Sequence, residues 1–216
     1  MTTSTQEPDG TPTENPRDPL VLLASRSPRR RELLDRHGYR YEVVDADVDD
    51  GDLAPGTGTP EEWVVGLAYL KARAGVDAWT DDPRSLDCSE GIVLGADTVC
   101  VKNGEIIGQP RDLEHAREIL RTLRDGEHTV LTGVALLCPT QKLPRTLFVD
   151  RATVRVGHVT DAQIESYLAT GAWVGKAGAY NLFERIEDGW PIEYDADPTS
   201  IMGLPMQRLA EVLRGA

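Results

Sequence analysis

The segment Leu20 to Arg31, LVLLASRSPRRR, constrains this chain more than any other. An apolar run of strand length stops at a small-residue loop, and the loop opens a helix crowded with arginine. Ser27 stands where a helix cap belongs, and Pro28 fits the first helical position, where its missing N–H costs nothing. The free backbone N–H groups and the positive dipole end of that helix then face whatever lies beyond the strand. Arg26, Arg29, Arg30 and Arg31 surround the same point, in a chain of formal net charge -13 at pH 7. A strand, a tight loop and a basic helix start fit a phosphate site. They also fit a solvated basic turn that offsets nearby acids, and the segment alone leaves both readings open.

Two acidic features follow. The first is Asp45-Ala46-Asp47-Val48-Asp49-Asp50-Gly51-Asp52. In extended backbone Asp45, Asp47 and Asp49 project to one side. Clustered carboxylates repel, and each needs a cation, a proton or water. Mg²⁺ or Mn²⁺ suits such an oxygen-rich set, and Mg²⁺ commonly joins a few carboxylates to substrate phosphates. A solvated acidic loop is the plain alternative. The second feature is Asp97, which interrupts the apolar strand Ile92 to Val101. A carboxylate there needs a partner, a metal or a raised pKa, and a structural salt bridge would serve equally. The strand runs into Lys102-Asn103-Gly104-Glu105, a hairpin signal, and the return ends at Gly108-Gln109-Pro110.

The remaining elements follow from periodicity and caps. Tyr41 to Val44 reads as a short strand. Thr59-Pro60-Glu61-Glu62 combines a cap, a first-position proline and a capping-box acid, which predicts a helix to about Ala78 carrying Lys71. Asp112 caps a helix from Leu113 to Leu123, and Thr129 to Leu137 and Thr146 to Val156 read as neighbouring strands. Thr160 caps a helix through about Ala169, and Gly203-Leu204-Pro205 opens a last helix with Met206, Leu209 and Leu213 inside. Strands and helices mix without strict alternation, so the expected class is α/β with a mixed sheet and flanking helices. Residues 1–18 are expected to form a disordered tail and 19–216 a single domain, with Thr80 to Glu90 a polar loop.

Composition narrows the function. The chain has 216 residues, 40% hydrophobic and 27% charged, as an ordinary soluble protein has. Its acidic balance argues against stable nucleic-acid binding, while local charge leaves room for a nucleotide. No apolar run reaches membrane length and no signal-like segment opens the chain, so a cytoplasmic location without membrane contact is expected. Cys88, Cys100 and Cys138 lack a CxxC pairing and read as reduced thiols. His37, His115, His128 and His158 lack ligand spacing and read as surface or packing residues. There is no P-loop, no G-x-S-x-G and no H-E-x-x-H.

In order, the segments LASRSPRRRELL, DADVDD, LAYLKARA, GADTVCVKNGEIIGQP, HTVLTGVALL, KAGAY and SIMGLP resemble the Maf family of nucleoside triphosphate pyrophosphatases, from Leu20 to the end of the chain. The resemblance implies a Maf/ITPase-like fold, two lobes around a central cleft. It implies metal-dependent conversion of a nucleoside triphosphate substrate to the monophosphate and pyrophosphate, often with preference for dTTP and UTP. House-cleaning activity on modified nucleotides is a close variant. Mg²⁺ or Mn²⁺ is the implied cofactor, and a homodimer is open as the assembly. Ser25, Arg29 and Arg30 would form the triphosphate loop, since a guanidinium fork matches two phosphate oxygens. Asp49 falls at the metal-associated acidic position, where the family more often has glutamate. Lys71 would contact phosphate. Asp97 would accept a proton from the attacking water, beside the metal. Thr98 matches a position tied to base preference. Gln109 replaces the lysine of a G-K-P motif, so one phosphate contact should be weaker. After Lys176-Ala177-Gly178-Ala179-Tyr180 the family continues G-I-Q-G, whereas this chain has Asn181-Leu182-Phe183-Glu184. The base-selecting glutamine therefore has no counterpart, and either Asn181 or the acidic segment Trp190 to Thr199 would shape the base pocket. A non-catalytic nucleotide-binding regulator of cell division is the second reading. Retention of Arg29, Lys71 and Asp97 together favours catalysis.

Overall fold

The computed structural model describes residues 19–46, 48, 53, 56–82, 91–139 and 146–214. The tail expected over residues 1–18, the acidic residues Asp47 and Asp49, and Cys88 with most of the polar stretch before Ile92 lie outside the described residues.

Seven strands form one mixed sheet in the order β2-β1-β3-β5-β6-β7, with β4 also on β3. They are β1 (Val21–Leu23), β2 (Tyr41–Val43), β3 (Ile92–Lys102), β4 (Glu105–Ile107), β5 (Gly126–Leu137), β6 (Thr146–Val156) and β7 (Ile192–Asp195). The pairs β1–β2 and β1–β3 are parallel, and the other pairs are antiparallel. Among the described residues seven α-helices accompany them: α1 (Pro28–Arg36), α2 (Pro60–Thr80), α3 (Leu113–Leu123), α4 (Asp161–Leu168), α5 (Leu182–Glu187), α6 (Pro198–Met202) and α7 (Met206–Arg214). The mixed α/β class expected from the sequence is the one observed.

Several predicted starts are present in atomic detail. Thr59 and Thr160 each form a complete capping box, with Glu62 and Gln163 respectively. Asp112 accepts from the His115 N–H at 2.8 Å at the start of α3. Met206, Leu209 and Leu213 are buried on α7. The segment Trp190 to Thr199, read from the sequence only as an acidic stretch, instead supplies edge strand β7 and the start of α6.

Side-chain alternation sorts the core. On one sheet face, Leu22, Ala24, Val93 and Ala135 pack against Ala68, Ala72, Val76 and Trp79 of α2. The other face carries two separate cores. Ile92, Leu94, Ala96, Val134 and Leu136 pack with α1 and α7, whereas Cys100 and Val130 pack with α3, α4 and α5. Thr98 and Thr132, paired in register, fall between them. Thr98 lines a cleft between the two lobes, with Thr132 fully buried beside it. Among the described residues no helix is long and apolar enough to cross a membrane.

Candidate active site

The cleft opens where the sheet edge is interrupted. Pairing of β1 with β3 stops at Leu23–Leu94, and pairing of β4 with β3 starts at Cys100–Ile107. Among the described residues, 95–99 therefore face no strand on that side. Asp97 and Thr98 sit in this gap and point to opposite faces of the sheet.

Asp97 faces α2, where Lys71 Nζ donates to its Oδ1 at 2.7 Å. Both side chains are largely buried, at 17% and 14% exposure. Their meeting depends on a helix lying directly on the strand. A Cβ on Gly95 would stand 2.3 Å from the Ala68 carbonyl oxygen and 2.5 Å from the Ala72 nitrogen, and one on Gly133 would stand 2.5 Å from the Val64 carbonyl oxygen. Only glycine admits such an approach.

Thr98 faces the lobes. Its hydroxyl lies 3.0 Å from that of Thr132, which donates to the Ser200 carbonyl at 2.8 Å. Arg30, buried at 8% exposure, completes this layer. Its Nε donates to the Gly203 carbonyl at 3.0 Å, Nη1 to Ser25 Oγ at 3.0 Å and Nη2 to Thr98 Oγ1 at 3.4 Å. Arg30 thus braces the loop after β1 against α6 and β3. Ser27 occupies the cap position of α1 but its hydroxyl does not cap; its own N–H donates to Ser25 Oγ at 3.2 Å. The first turn of α1 keeps its N–H groups clear of any capping side chain at the cleft.

Two adjoining cavities result. An inner one of about 140 Å³ is lined by Asp97, Thr98 and an apolar wall that includes Cys100, Tyr180 and Met202. An outer one of about 670 Å³ is lined by the loop after β1, Lys176 and Glu184. Arg29, Arg30, Lys71, Gln109 and Asn181 line both. Ser25 lines the outer cavity. The structure therefore gathers every described site residue expected from the sequence. The outer space is cationic and suits phosphate, and the inner space has the mixed apolar and polar lining of a small-molecule pocket.

Burial draws the Arg29 guanidinium down, opposed by the carboxylate of Glu184 and by Tyr167. Lys176 is likewise lowered by burial, with Glu184 opposing. Burial pushes the Cys100 thiol up to about 12, so it is not a thiolate nucleophile at neutral pH. His128 is lowered to about 4, by burial first and Lys102 second, and its Nε2 lies 2.8 Å from the Tyr180 hydroxyl behind the inner wall. It is a packing histidine, as its lack of ligand spacing suggested. His158 pairs with Asp125 at the surface.

Among the described residues no cluster of three or more His, Cys, Asp or Glu could by itself hold a metal. Of the described residues, Asp97 and Glu184 are the carboxylates that line the two cavities. Mg²⁺ typically takes one or two carboxylates and completes its shell with water and substrate phosphates, so Asp97 fits a metal that arrives with a nucleotide, whereas both Glu184 oxygens are engaged by Asn181 and Lys176.

Lys176 and Glu184 were not singled out from the sequence. Lys176 opens the KAGAY motif, which was the available signal. Glu184 falls where the family pattern is lost, and nothing local marks it.

An interrupted sheet edge between two lobes, with a basic helix start and a buried Lys–Asp pair, defines a nucleotide-type cleft. Residues 20–216 match the family described as Maf-like protein, and this chain belongs to that family. It is 38% identical over 196 residues to a dTTP/UTP pyrophosphatase of Salinibacter ruber, covering 91% of this chain and 90% of the relative. To the dTTP/UTP pyrophosphatase of Alkalilimnicola ehrlichii it is 39% identical over 195 residues, covering 90% and 92%. To that of Pelotomaculum thermopropionicum it is 38% identical over 194 residues, covering 90% and 95%.

Proposed function

We propose that this cleft hydrolyses nucleoside triphosphates to the monophosphate and pyrophosphate. The supporting observation is the Lys71–Asp97 pair, held at 2.7 Å where the inner and outer cavities meet. Arg29, Lys71 and Lys176, with the first turn of α1, bind and orient the triphosphate in the outer cavity. The base enters the inner cavity beside Thr98 and Asn181. Lys71 fixes the Asp97 carboxylate, which takes a proton from water as the water oxygen bonds to the α-phosphorus. The bond from the α-phosphorus to the bridging oxygen breaks, and pyrophosphate leaves with that oxygen. No covalent enzyme intermediate is required. Asp97, with Asp49 from the acidic loop, would hold Mg²⁺ or Mn²⁺ together with the substrate phosphates. The metal when bound supplies charge neutralisation at the phosphate oxygens.

The names of the relatives make dTTP and UTP the first substrates to test. Asn181 Nδ2 already donates to Glu184 Oε1 at 2.9 Å, which leaves its carbonyl oxygen to read a base. A panel of natural and modified triphosphates with Mg²⁺, Mn²⁺ or Co²⁺ tests the reading. Pyrophosphate release that stops in EDTA supports it, and full activity in EDTA contradicts the metal.

A further inference from the structure

The outer cavity contains a carboxylate that the catalytic reading leaves without a task. Glu184 lies near the start of α5, 47% exposed at the side chain, and lines the phosphate cavity with Arg29 and Lys176. Its Oε1 accepts from Asn181 at 2.9 Å and its Oε2 from Lys176 Nζ at 3.4 Å. Its charge also acts on Arg29, countering the effect of that guanidinium's burial. An anion beside the two cations is a poor neighbour for a polyphosphate, since like charges brought together cost binding energy. Yet desolvated cations need a counter-charge, and Glu184 provides one inside the cavity.

We propose that Glu184 is a built-in counter-ion of the phosphate cleft, competing with phosphate groups for Arg29 and Lys176 and so setting how tightly they are held. The proposal rests on the reading of the outer cavity as a phosphate site. A triphosphate offsets the competition through its base and sugar, whereas pyrophosphate has no such contacts. Glu184 therefore weakens the product more than the substrate and favours its departure.

The test is calorimetric binding of inorganic pyrophosphate at fixed ionic strength, once in chelator and once with Mg²⁺, to the parent and to Glu184→Gln. The expected result is roughly tenfold tighter binding to the variant, with inhibition by pyrophosphate strengthened in parallel. The double variant Glu184→Gln/Lys176→Met should lose most of that gain. Glu184→Ala, which should shift binding in the same direction, serves if the glutamine variant does not melt like the parent. Unchanged or weaker pyrophosphate binding to a folded variant overturns the proposal while leaving the phosphate site intact. Absence of binding to parent and variant alike overturns the phosphate reading itself.

Discussion

Asp97 owes its chemistry to its neighbours rather than to its own position in the chain. Lys71 occupies one carboxylate oxygen at 2.7 Å, which fixes the group in a water-accessible gap. Asp97→Asn should cut kcat by about 10²-fold or more if the carboxylate is the base. A thermal melt run alongside separates this from unfolding, since the change neutralises the carboxylate that pairs with a largely buried Lys71. Arg29→Ala and Lys71→Ala should each cost triphosphate binding roughly 1.5–3 kcal/mol, the value of a charge-assisted contact. Arg36→Ala on the same helix as Arg29 should change little, because Arg36 is exposed and paired with Glu32. Equal losses in all three would point to diffuse charge rather than a site.

His128 couples the stability of the fold to pH. Its folded pKa, about 4, lies below the ordinary value of 6.5. The unfolded chain therefore binds the extra proton first as pH falls, and the favourable contribution is complete above about 6.5 and lost on descent to about 4. One such proton steepens the fall by up to about 1.4 kcal/mol per pH unit. Tyr180→Phe and His128→Phe/Tyr180→Phe should thus diverge in unfolding free energy across that window and run parallel above it. Carboxylates held low by arginines, such as Asp161 and Glu165, lose stability in acid too, but equally in both variants.

At the scale of elements, the site depends on how closely α2 approaches β3. Gly95→Ala drives a methyl group against the α2 backbone, so it should destabilise the fold by about 1–3 kcal/mol or more and displace Lys71 from Asp97. Urea unfolding together with kcat measures both effects, and a neutral result would show that the helix yields without cost. Not every element was legible in the sequence. Caps at Thr59, Asp112 and Thr160 were legible because each is a local pattern. The stretch after Tyr180 was not, because β7 spans four residues and α6 five, too short for periodicity to register. Its one local marker was Asp197 before Pro198: this carboxylate accepts from Thr199 N at 2.9 Å and from Gln207 N at 3.1 Å, joining α6 to α7. Ser25, Arg29, Lys71 and Asp97 were individually visible through the family resemblance. The brace from Arg30 to Gly203, 173 residues apart, required the fold.

For the whole molecule, the cleft concentrates cations in a chain of net charge -13. Local desolvation and geometry, not overall charge, must therefore hold a polyanion. The lobes meet along Thr98 and Thr132, and the proposed function puts the reacting phosphate where the gap in the sheet edge exposes Asp97. That placement predicts attack at the α-phosphorus, with the two outer phosphates leaving together. Turnover of dTTP or UTP with Mg²⁺ in oxygen-18 water, followed by phosphorus NMR of the products, tests it directly. Equal amounts of nucleoside monophosphate and pyrophosphate are expected, with the heavy oxygen in the monophosphate. Nucleoside diphosphate with orthophosphate, or heavy oxygen in the pyrophosphate, would contradict it.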